Sequence, residues 1–502
     1  MIRQQQFFRR VTAVAVLAIG LSAATAAAVD LSEYRQNTYG PTNHYCNPTR
    51  SLSSAGAGTL ADPWNMQQCA DMPVAGDVVG ILPGVSVDMP TPNSSRIPAF
   101  NPRNSGTASN RIVYVTRFAA VVLSNVETNA NRSEFRHNGG APYISGGVGA
   151  GNGGPMLGGN GRSYITYDGF YIDMAEAYMS EDSGVIRAQD SVGLHFRNFV
   201  IKGATLTVAS NAVIYRPNNA RDTVLSNFRA YNFVNVPTGS LTPQPALFSD
   251  QYGDQNVLIE HFEISGIHFG IYFKGTANNA TVFNYGTVRY GIVRNAASCF
   301  RFNDLDANQL TTVEFNLCYD VSGEAGISLS SETSPARNIL IHHNTVARVD
   351  SSNMNTQGGI YTRARGISGL NVTIRDNVVD ISQGRYGHMV GLAETSVLPN
   401  TLNYNGYTKN GSTLTFAFNN VQYDSVSAWR SATGRDMNSL TFSSSPFVNR
   451  AAGDFRIAAG HPAKTGSSTG GELGAFAATR PLGVDLSGLP TAPTGLRIQP
   501  QP

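Results

Sequence analysis

The stretch GIYFK (270–274) is one copy of a short apolar motif that recurs along the chain. Related five-residue segments begin 24 to 34 residues apart, at positions 184, 212, 246, 270, 299, 326 and 359: GVIRA, AVIYR, ALFSD, GIYFK, CFRFN, GISLS and GIYTR. Each is a run of strand-forming residues bounded by Gly, Asn, Ser or Asp. A slow period with variable spacing is typical of a solenoid whose loops differ in length between coils.

A second series of segments lies between these copies. Its recurrent residue is asparagine, at 198, 227, 316, 344, 377 and 420. Gly169, His261 and Gly286 fill the same position in three further segments. Two interleaved strand columns with one period predict an all-β, right-handed parallel β-helix with an N-terminal cap and loop insertions, in which the Asn amides bond from coil to coil. A propeller would need repeats of ~40–45 residues, longer than these.

The chain begins with a secretory leader. Residues 1–28 contain three arginines, an apolar run and small residues before the expected cleavage position. The apolar run is too short to span a membrane, and no later stretch is long enough. We therefore expect residues 29–480 to form one parallel β-helix catalytic domain, secreted or periplasmic. The proline-rich segment 481–502 is expected to be an extended tail.

Charge and cysteine content restrict the partners. Removing the leader leaves 33 Lys+Arg against 34 Asp+Glu, so the formal charge moves from +2 to −1. A near-neutral chain without a basic stretch argues against a nucleic-acid partner, and we expect a monomer.

Export permits two disulfides, and the spacing favours Cys46–Cys69 and Cys299–Cys318. No Cys/His cluster with zinc-ligand spacing occurs.

Side chains alternate between the two faces of a strand, so the five-residue segments can be sorted by face. The second residue is apolar in every copy and is expected in the core: Val185, Val213, Leu247, Ile271, Phe300, Ile327 and Ile360. The third residues are then expected outside: Ile186, Ile214, Phe248, Tyr272, Arg301, Ser328 and Tyr361. The fifth residues are also expected outside: Ala188, Arg216, Asp250, Lys274, Asn303, Ser330 and Arg363. Because stacked neighbours lie ~4.8 Å apart, we expect Arg216, Asp250, Lys274 and Asn303 to form one outer ladder.

Charge is concentrated in the middle coils of this outer face. Three cations, one carboxylate and one phenol fall within about four coils, which favours a groove for a polyanion over a scattered, solvated surface. The same residues are also compatible with a salt-bridge ladder that only relieves repulsion between strands. His261, His268 and His343 are expected to be structural.

With GIYFKG (270–275) and an arginine one coil later in CFRFN, the chain resembles the secreted β-helical polysaccharide lyases, particularly the group of alginate lyases and chondroitinase B. The resemblance implies β-elimination in a polysaccharide that contains uronic acid. It implies Lys274 as the base, Arg301 as the acid or the stabiliser of the leaving oxygen, and Tyr272 as the alternative acid. The implied substrate contacts are Arg216, Asp250, Asn303, Tyr361 and Arg363.

The residues at the calcium-binding positions differ from those of that family. Its calcium-dependent members hold the ion with acidic and amide side chains in the coils before the lysine. Arg216 and Asp250 occupy those positions here, a poor donor set for an ion that takes about six to eight oxygens. We therefore expect neither a metal nor another cofactor.

Two other functions remain open on the sequence alone. An inverting β-helical glycoside hydrolase needs two or three clustered carboxylates, and the mapped outer positions supply only Asp250, with Asp254 in the following loop. A non-catalytic glycan-binding or adhesin solenoid would spread aromatic platforms along one face, to which Tyr272 and Tyr361 could belong.

Overall fold

The chain forms a parallel β-helix, as the repeats predict. A computed structural model describes residues 39–82, 84–86, 100–116, 133–136, 142–143, 157–173, 178–179, 185–206, 215–235, 246–250, 254–274, 284–303, 305–306, 308–331, 337–350, 358–364, 370–383, 388–393, 398–409 and 413–484. The predicted leader and most of the predicted tail lie outside the described residues. Nearly all of the described strands pair in parallel with the equivalent strand of the next coil.

Three parallel sheets wrap the core, and most of the described coils contribute a strand segment to each sheet. Four long strands pass from one sheet into the next: His195–Leu206, Val224–Asn235, Val257–Lys274 and Ile292–Asn303. The first three begin in sheet 1 and continue into sheet 2, and Val257–Lys274 ends in sheet 3. Ile292–Asn303 begins in sheet 2 and ends in sheet 3.

The shorter strands complete these sheets. Sheet 1 contains His44–Cys46, Val78–Ile81, Ile112–Thr116, Ile165–Asp168, Gly286–Arg289, Thr311–Glu314, Arg337–His342, Leu370–Arg375 and Thr401–Asn403. Sheet 2 contains Gly84–Ser86, Ser133–Arg136, Tyr171–Asp173, Leu317–Val321, Thr345–Asp350, Val378–Gln383, Gly406–Lys409 and Leu440–Phe442. Sheet 3 contains Leu157–Asn160, Ile186–Gln189, Tyr215–Asn218, Ala246–Asp250, Ile327–Ser331, Gly358–Ala364, His388–Leu392 and Phe416–Phe418.

The remaining elements lie at turns and toward the C-terminus. Short parallel pairs are made by Pro142–Tyr143, Tyr178–Met179, Ala220–Arg221 and Asp254–Gln255. Antiparallel pairing joins Phe416–Phe418 to Val421–Tyr423, and Phe447–Asn449 to Asp454–Ile457. The helices are Met66–Asp71 and Val426–Thr433, with 3₁₀ turns at Pro462–Lys464 and Ala475–Ala477.

Both predicted disulfides are confirmed. Cys46–Cys69 ties the helix Met66–Asp71 to the first strand of sheet 1, and Cys299–Cys318 joins adjacent coils. A capping box formed by Asn65 and Gln68 begins this helix.

The turn from sheet 1 to sheet 2 separates the predicted asparagine column into two. Asn198 and Asn227 occupy a column with positive φ, which continues through His261 and Tyr290 to later coils. The later asparagines occupy the next column, where they are fully buried: Asn316, Asn344, Asn377 and Asn405. The single-column prediction is therefore wrong. Gly286 begins a strand of sheet 1 instead, and Asn420 lies in a hairpin turn.

The second column contains two different ladders. In the earlier coils it is aromatic, with Phe199 stacked 4.7 Å from Phe228 and Phe228 stacked 5.5 Å from Phe262. In the later coils each asparagine amide donates to the next, at 3.0 Å from Asn316 to Asn344. Gly291 lies between the two ladders, where a Cβ would be 2.0 Å from the ring of Phe262.

Candidate functional site

The register of sheet 3 is confirmed for the coils that follow GIYFK. Ile271 pairs with Phe300, Phe300 with Ile327, and Ile327 with Ile360. All four side chains are fully buried. The alternation therefore places Tyr272 and Arg301 on the outer face, as predicted.

The register predicted for the earlier coils is wrong. Ile271 pairs with Phe248 instead of Leu247, and the same inward column continues through Tyr215 to Ile186. These segments contain two consecutive apolar residues, as in Val-Ile and Leu-Phe. Alternation is then satisfied in either phase, and a one-residue slip reverses the face of every side chain.

This correction rearranges the predicted ladder into two outer columns. The first outer column consists of Arg187, Arg216, Ser249, Tyr272, Arg301, Ser328 and Tyr361. The second outer column consists of the positions of Gln189, Asn218, Lys274, Asn303, Ser330 and Arg363. Arg216 therefore lies one column away from Lys274. Asp250 pairs with Phe273, whose position in the register belongs to an inward column. The predicted Arg216–Asp250–Lys274–Asn303 ladder is therefore wrong.

The two outer columns carry only one sign of charge. Five of their positions are cationic: Arg187, Arg216, Lys274, Arg301 and Arg363. None of the positions that define the two columns is Asp or Glu. A ladder of alternating salt bridges along these columns is thereby excluded, and the charge of the face favours an anionic ligand.

The first outer column is shielded although it faces away from the core. Arg216, Tyr272 and Tyr361 are each less than a tenth exposed. Tyr361 lies three coils beyond Tyr272, which is ~14 Å at the usual spacing of parallel strands. The structure therefore brings Tyr272 and Arg301 together and leaves Tyr361 at a distance.

Arg301 is the centre of the best-defined cluster on this face. Its guanidinium carbon lies 4.8 Å from the ring centroid of Phe269 and 5.1 Å from that of Tyr272. Its Nη1 lies 3.1 Å from Oε2 of Glu324. The arginine side chain keeps 23% of its surface exposed, so two rings and one carboxylate hold a cation that solvent still reaches.

Asn303 connects this cluster to the second outer column. Its Nδ2 donates a hydrogen bond of 3.0 Å to the hydroxyl of Tyr272, and both side chains are 6% exposed. Asn303 is also the register partner of Lys274 in the preceding coil. The position of Lys274 is therefore one strand away from the residue that holds the Tyr272 hydroxyl.

Two members of the cluster were not predicted as site residues from the sequence. Glu324 stands in the turn before the strand Ile327–Ser331, and burial raises its pKa although the charge of Arg301 opposes that shift. His268 lies edge-on to Phe269 at 4.4 Å, and burial with the charge of Arg301 lowers its pKa to about 4. Glu324 precedes a strand of sheet 3, and His268 lies inside Val257–Lys274 directly before the part that pairs in sheet 3. The alternation within the five-residue segments gives no information about either position.

Three buried polar atoms of the cluster have no hydrogen-bond partner within the described part of the chain. They are Nε2 of His268, Nε of Arg301 and Oδ1 of Asn303. A buried polar atom without a partner is destabilising, so native structures seldom leave several together. Their concentration around Arg301 indicates a place where a polar ligand would complete the hydrogen bonds.

Within the described ranges, no group of three or more His, Cys, Asp or Glu side chains is arranged to hold a metal ion. In the same residues, no helix is long and apolar enough to cross a membrane.

Known structures with a similar course of the chain include three that are described as lyases and one described as XylC in complex with xylose. Pectate lyase Pel9A is 12% identical, with a TM-score of 0.42 over 86% of this chain and 95% of that one. A rhamnogalacturonan lyase is 14% identical, with a TM-score of 0.40 over 69% and 84%. The PL6 family polysaccharide lyase Pedsa3628 from Pseudopedobacter saltans is 10% identical, with a TM-score of 0.36 over 84% and 97%. No family model and no curated protein matches the chain.

Proposed function

We propose that the protein is a polysaccharide lyase that cleaves a uronic-acid polysaccharide, alginate-like or glycosaminoglycan-like, by β-elimination. The observation that supports this proposal is the outer face of sheet 3, where five cationic positions occur without a carboxylate in either outer column. A uronate polymer carries a regular negative charge that such a face attracts. The unpaired hydrogen-bonding atoms around Arg301 are suited to the hydroxyl and carboxylate groups of such a chain.

The proposed reaction breaks the C4–O4 bond of a uronate unit. Lys274 takes the proton from C5, the electron pair forms the C4–C5 double bond, and the departing O4 receives a proton from Tyr272 or Arg301. A lysine near several cations has a lowered affinity for its own proton, which makes it a better base near neutral pH. Arg301 stabilises the negative charge that develops on the substrate.

The corrected register changes the proposed roles of the flanking residues. Arg216 shares a column with Arg301 and binds a substrate carboxylate, for which its planar guanidinium is suited. Asn303, Tyr361 and Arg363 contact further units along the two columns. Asp250 is left out of the site, because its register position belongs to an inward column.

Arg216 also takes the part that calcium plays in metal-dependent lyases. We propose that the reaction needs no metal, because guanidinium groups neutralise the substrate carboxylate. Prolonged dialysis against a chelator should leave the elimination rate unchanged, and added calcium should not raise it. A rate that falls on chelation and returns with calcium would contradict this part of the proposal.

The deciding experiment follows the ultraviolet absorbance of the unsaturated uronate product. The purified protein is incubated separately with alginate, polygalacturonate, a glucuronan, chondroitin sulfate and dermatan sulfate. One polymer should give a rise that is absent with Lys274→Ala. Lys202→Ala is the matched control, because Lys202 lies on sheet 2, and this variant should retain the wild-type rate.

Other outcomes would reject the proposal in whole or in part. New reducing ends without a rise in absorbance would indicate a hydrolase. A rise that persists in Lys274→Ala would leave elimination in place and remove Lys274 as the base. No reaction with any polymer, together with retention of one of them on the protein, would indicate a glycan-binding solenoid.

A further inference from the structure

A second concave surface lies on sheet 2, away from the cationic columns of sheet 3. It is a pocket of about 590 Å³, within the ~300–1,000 Å³ range of small-molecule sites. Its described lining consists of Asn295, Asp320, Val321, Ser322, Arg348, Asp350, Ser382 and Arg450. All but Arg450 belong to strands of sheet 2 or to the residue that follows one, so stacked coils form the floor.

Two arginines form a rigid wall of this pocket. Arg450 donates from Nε to Oδ2 of Asp380 at 2.7 Å and from Nη2 to the hydroxyl of Ser382 at 2.9 Å. Arg348 donates from Nη2 to Asp320 at 2.6 Å, and its guanidinium stacks over Phe455 at 5.2 Å. Both cations are therefore already neutralised by carboxylates of this chain.

The charges of the pocket do not favour an acidic ligand. Its lining contains two cations, Arg348 and Arg450. Arg348 pairs with Asp320, and Arg450 pairs with the fully buried Asp380. A uronate would therefore meet no uncompensated cation in the described lining, in contrast to the outer columns of sheet 3, where none of the positions is Asp or Glu.

The lining offers hydrogen bonds of the kind that sugar hydroxyls make. Carboxylate oxygens accept from hydroxyl groups, while the amide of Asn295 and the hydroxyls of Ser322 and Ser382 both donate and accept. Nε of the lining residue Arg348 is buried without a hydrogen-bond partner among the described residues. A neutral, hydroxyl-rich molecule satisfies such a surface without adding charge.

We propose that this pocket binds a neutral sugar unit and is a saccharide site separate from the cationic site on sheet 3. The strand Ile292–Asn303 carries Asn295 at the pocket and Arg301 at the cationic site. Six residues span at most ~20 Å when fully extended, so the backbone positions of Asn295 and Arg301 are no farther apart than that. Binding of a neutral sugar does not depend on the proposed elimination reaction.

Ligand-observed NMR tests this proposal on the whole protein. Saturation transfer is measured to the methyl glycosides of mannose, galactose, rhamnose and xylose, and to methyl glucuronoside and methyl galacturonoside. Ser322→Trp fills the pocket without removing an ion pair, because Ser322 is exposed at its edge. Ser443→Trp is the control, since Ser443 is an exposed serine outside the described lining.

We expect transfer to at least one neutral glycoside, its loss in Ser322→Trp and its retention in Ser443→Trp. No transfer to any neutral glycoside by the wild type would overturn the proposal, as would transfer that survives in Ser322→Trp. Equal competition by the uronosides would overturn the assignment to neutral sugars. The elimination assay on the same variants reports separately on the sheet 3 site.

Discussion

Arg301 and Tyr272 are register partners in adjacent coils of sheet 3, and the Arg301 guanidinium carbon lies 5.1 Å from the centroid of the Tyr272 ring. The same guanidinium is paired with Glu324 at 3.1 Å. An ion pair that also packs on two rings has a defined orientation, which a charge acting on a reacting substrate requires.

Replacing Arg301 should impair catalysis much more than folding. We expect Arg301→Ala to lower the rate of the proposed elimination ~100-fold or more, because this variant loses the group proposed to stabilise the developing charge. Steady-state kinetics on the polymer found in the panel measures this effect. Arg229→Ala is the matched control, since Arg229 makes a similar ion pair with Glu263 at 2.9 Å on sheet 2. Equal loss in both variants would mean that Arg301 acts through stability alone.

Gly291 should tolerate no side chain. A Cβ at this position would lie 2.0 Å from Cζ of the fully buried Phe262 ring, so the ring or the backbone must move. We expect Gly291→Ala to lower the free energy of unfolding by ~1–3 kcal/mol, as overpacked cores do. Denaturant unfolding measures the change. Gly471→Ala, where the nearest atom would be 3.5 Å away, should be nearly neutral.

Asn344 should be a sensitive position of the asparagine ladder. Its Nδ2 donates to the carbonyl oxygen of Val313 at 2.9 Å and to Asn377 at 3.0 Å, and its Oδ1 accepts from Asn316. Asn344→Ala leaves several buried groups unpaired, each worth ~1–3 kcal/mol, so we expect a loss of at least ~2 kcal/mol in unfolding free energy. The exposed Asn371 also bonds to its neighbour in the preceding coil. Asn371→Ala should change stability by less than ~0.5 kcal/mol.

Asp254 should make stability fall as the pH rises. Its carboxyl is fully buried beside the Tyr215 hydroxyl, at 2.8 Å, and burial raises its pKa from 3.8 to about 7. The folded state therefore holds this proton more tightly than the unfolded state, and the resulting stability is lost as pH rises through about 7. Asn cannot lose a proton. The unfolding free energy of Asp254→Asn should therefore rise relative to the wild type between pH 3.8 and about 7.

A variant whose stability should change with pH in the opposite direction provides the control. Arg456 lowers the pKa of the Asp454 carboxyl, so this group contributes stability above its unfolded pKa that is lost as pH falls. Asp454→Asn should therefore lose stability relative to the wild type as the pH rises from acid to neutral. A pH-independent difference for Asp254→Asn would show that Asp254 does not titrate in the folded protein over this range.

The local pattern was sufficient for one part of the candidate site. In GIYFK, CFRFN, GISLS and GIYTR, a single strongly apolar residue follows a small one, so only one phase of alternation buries it. The prediction placed Tyr272 beside Arg301 and Lys274 beside Asn303, and the register confirms both pairs. The disulfides were also predictable, because each joins cysteines close in sequence within a structure of short period.

The local pattern was insufficient where alternation is ambiguous or ends. Arg216 and Asp250 come after pairs of apolar residues. The face of the strand on which each of them lies depends on how the preceding loop aligns that strand with the neighbouring coil. Glu324 and His268 stand in or near turns, where no period applies. Their approach to Arg301 depends on contacts between neighbouring coils.

The sequence by itself determined the β-helix, the order of its coils and the face of every strand residue in the coils with an unambiguous phase. These properties follow from the burial of one residue in two, which each segment encodes locally. The tertiary structure decided which columns Arg216 and Asp250 occupy, the division of the asparagines between two columns, and the cluster around Arg301. Those properties depend on the alignment of one coil with the next, which is set by hydrogen bonds and packing between segments far apart in sequence.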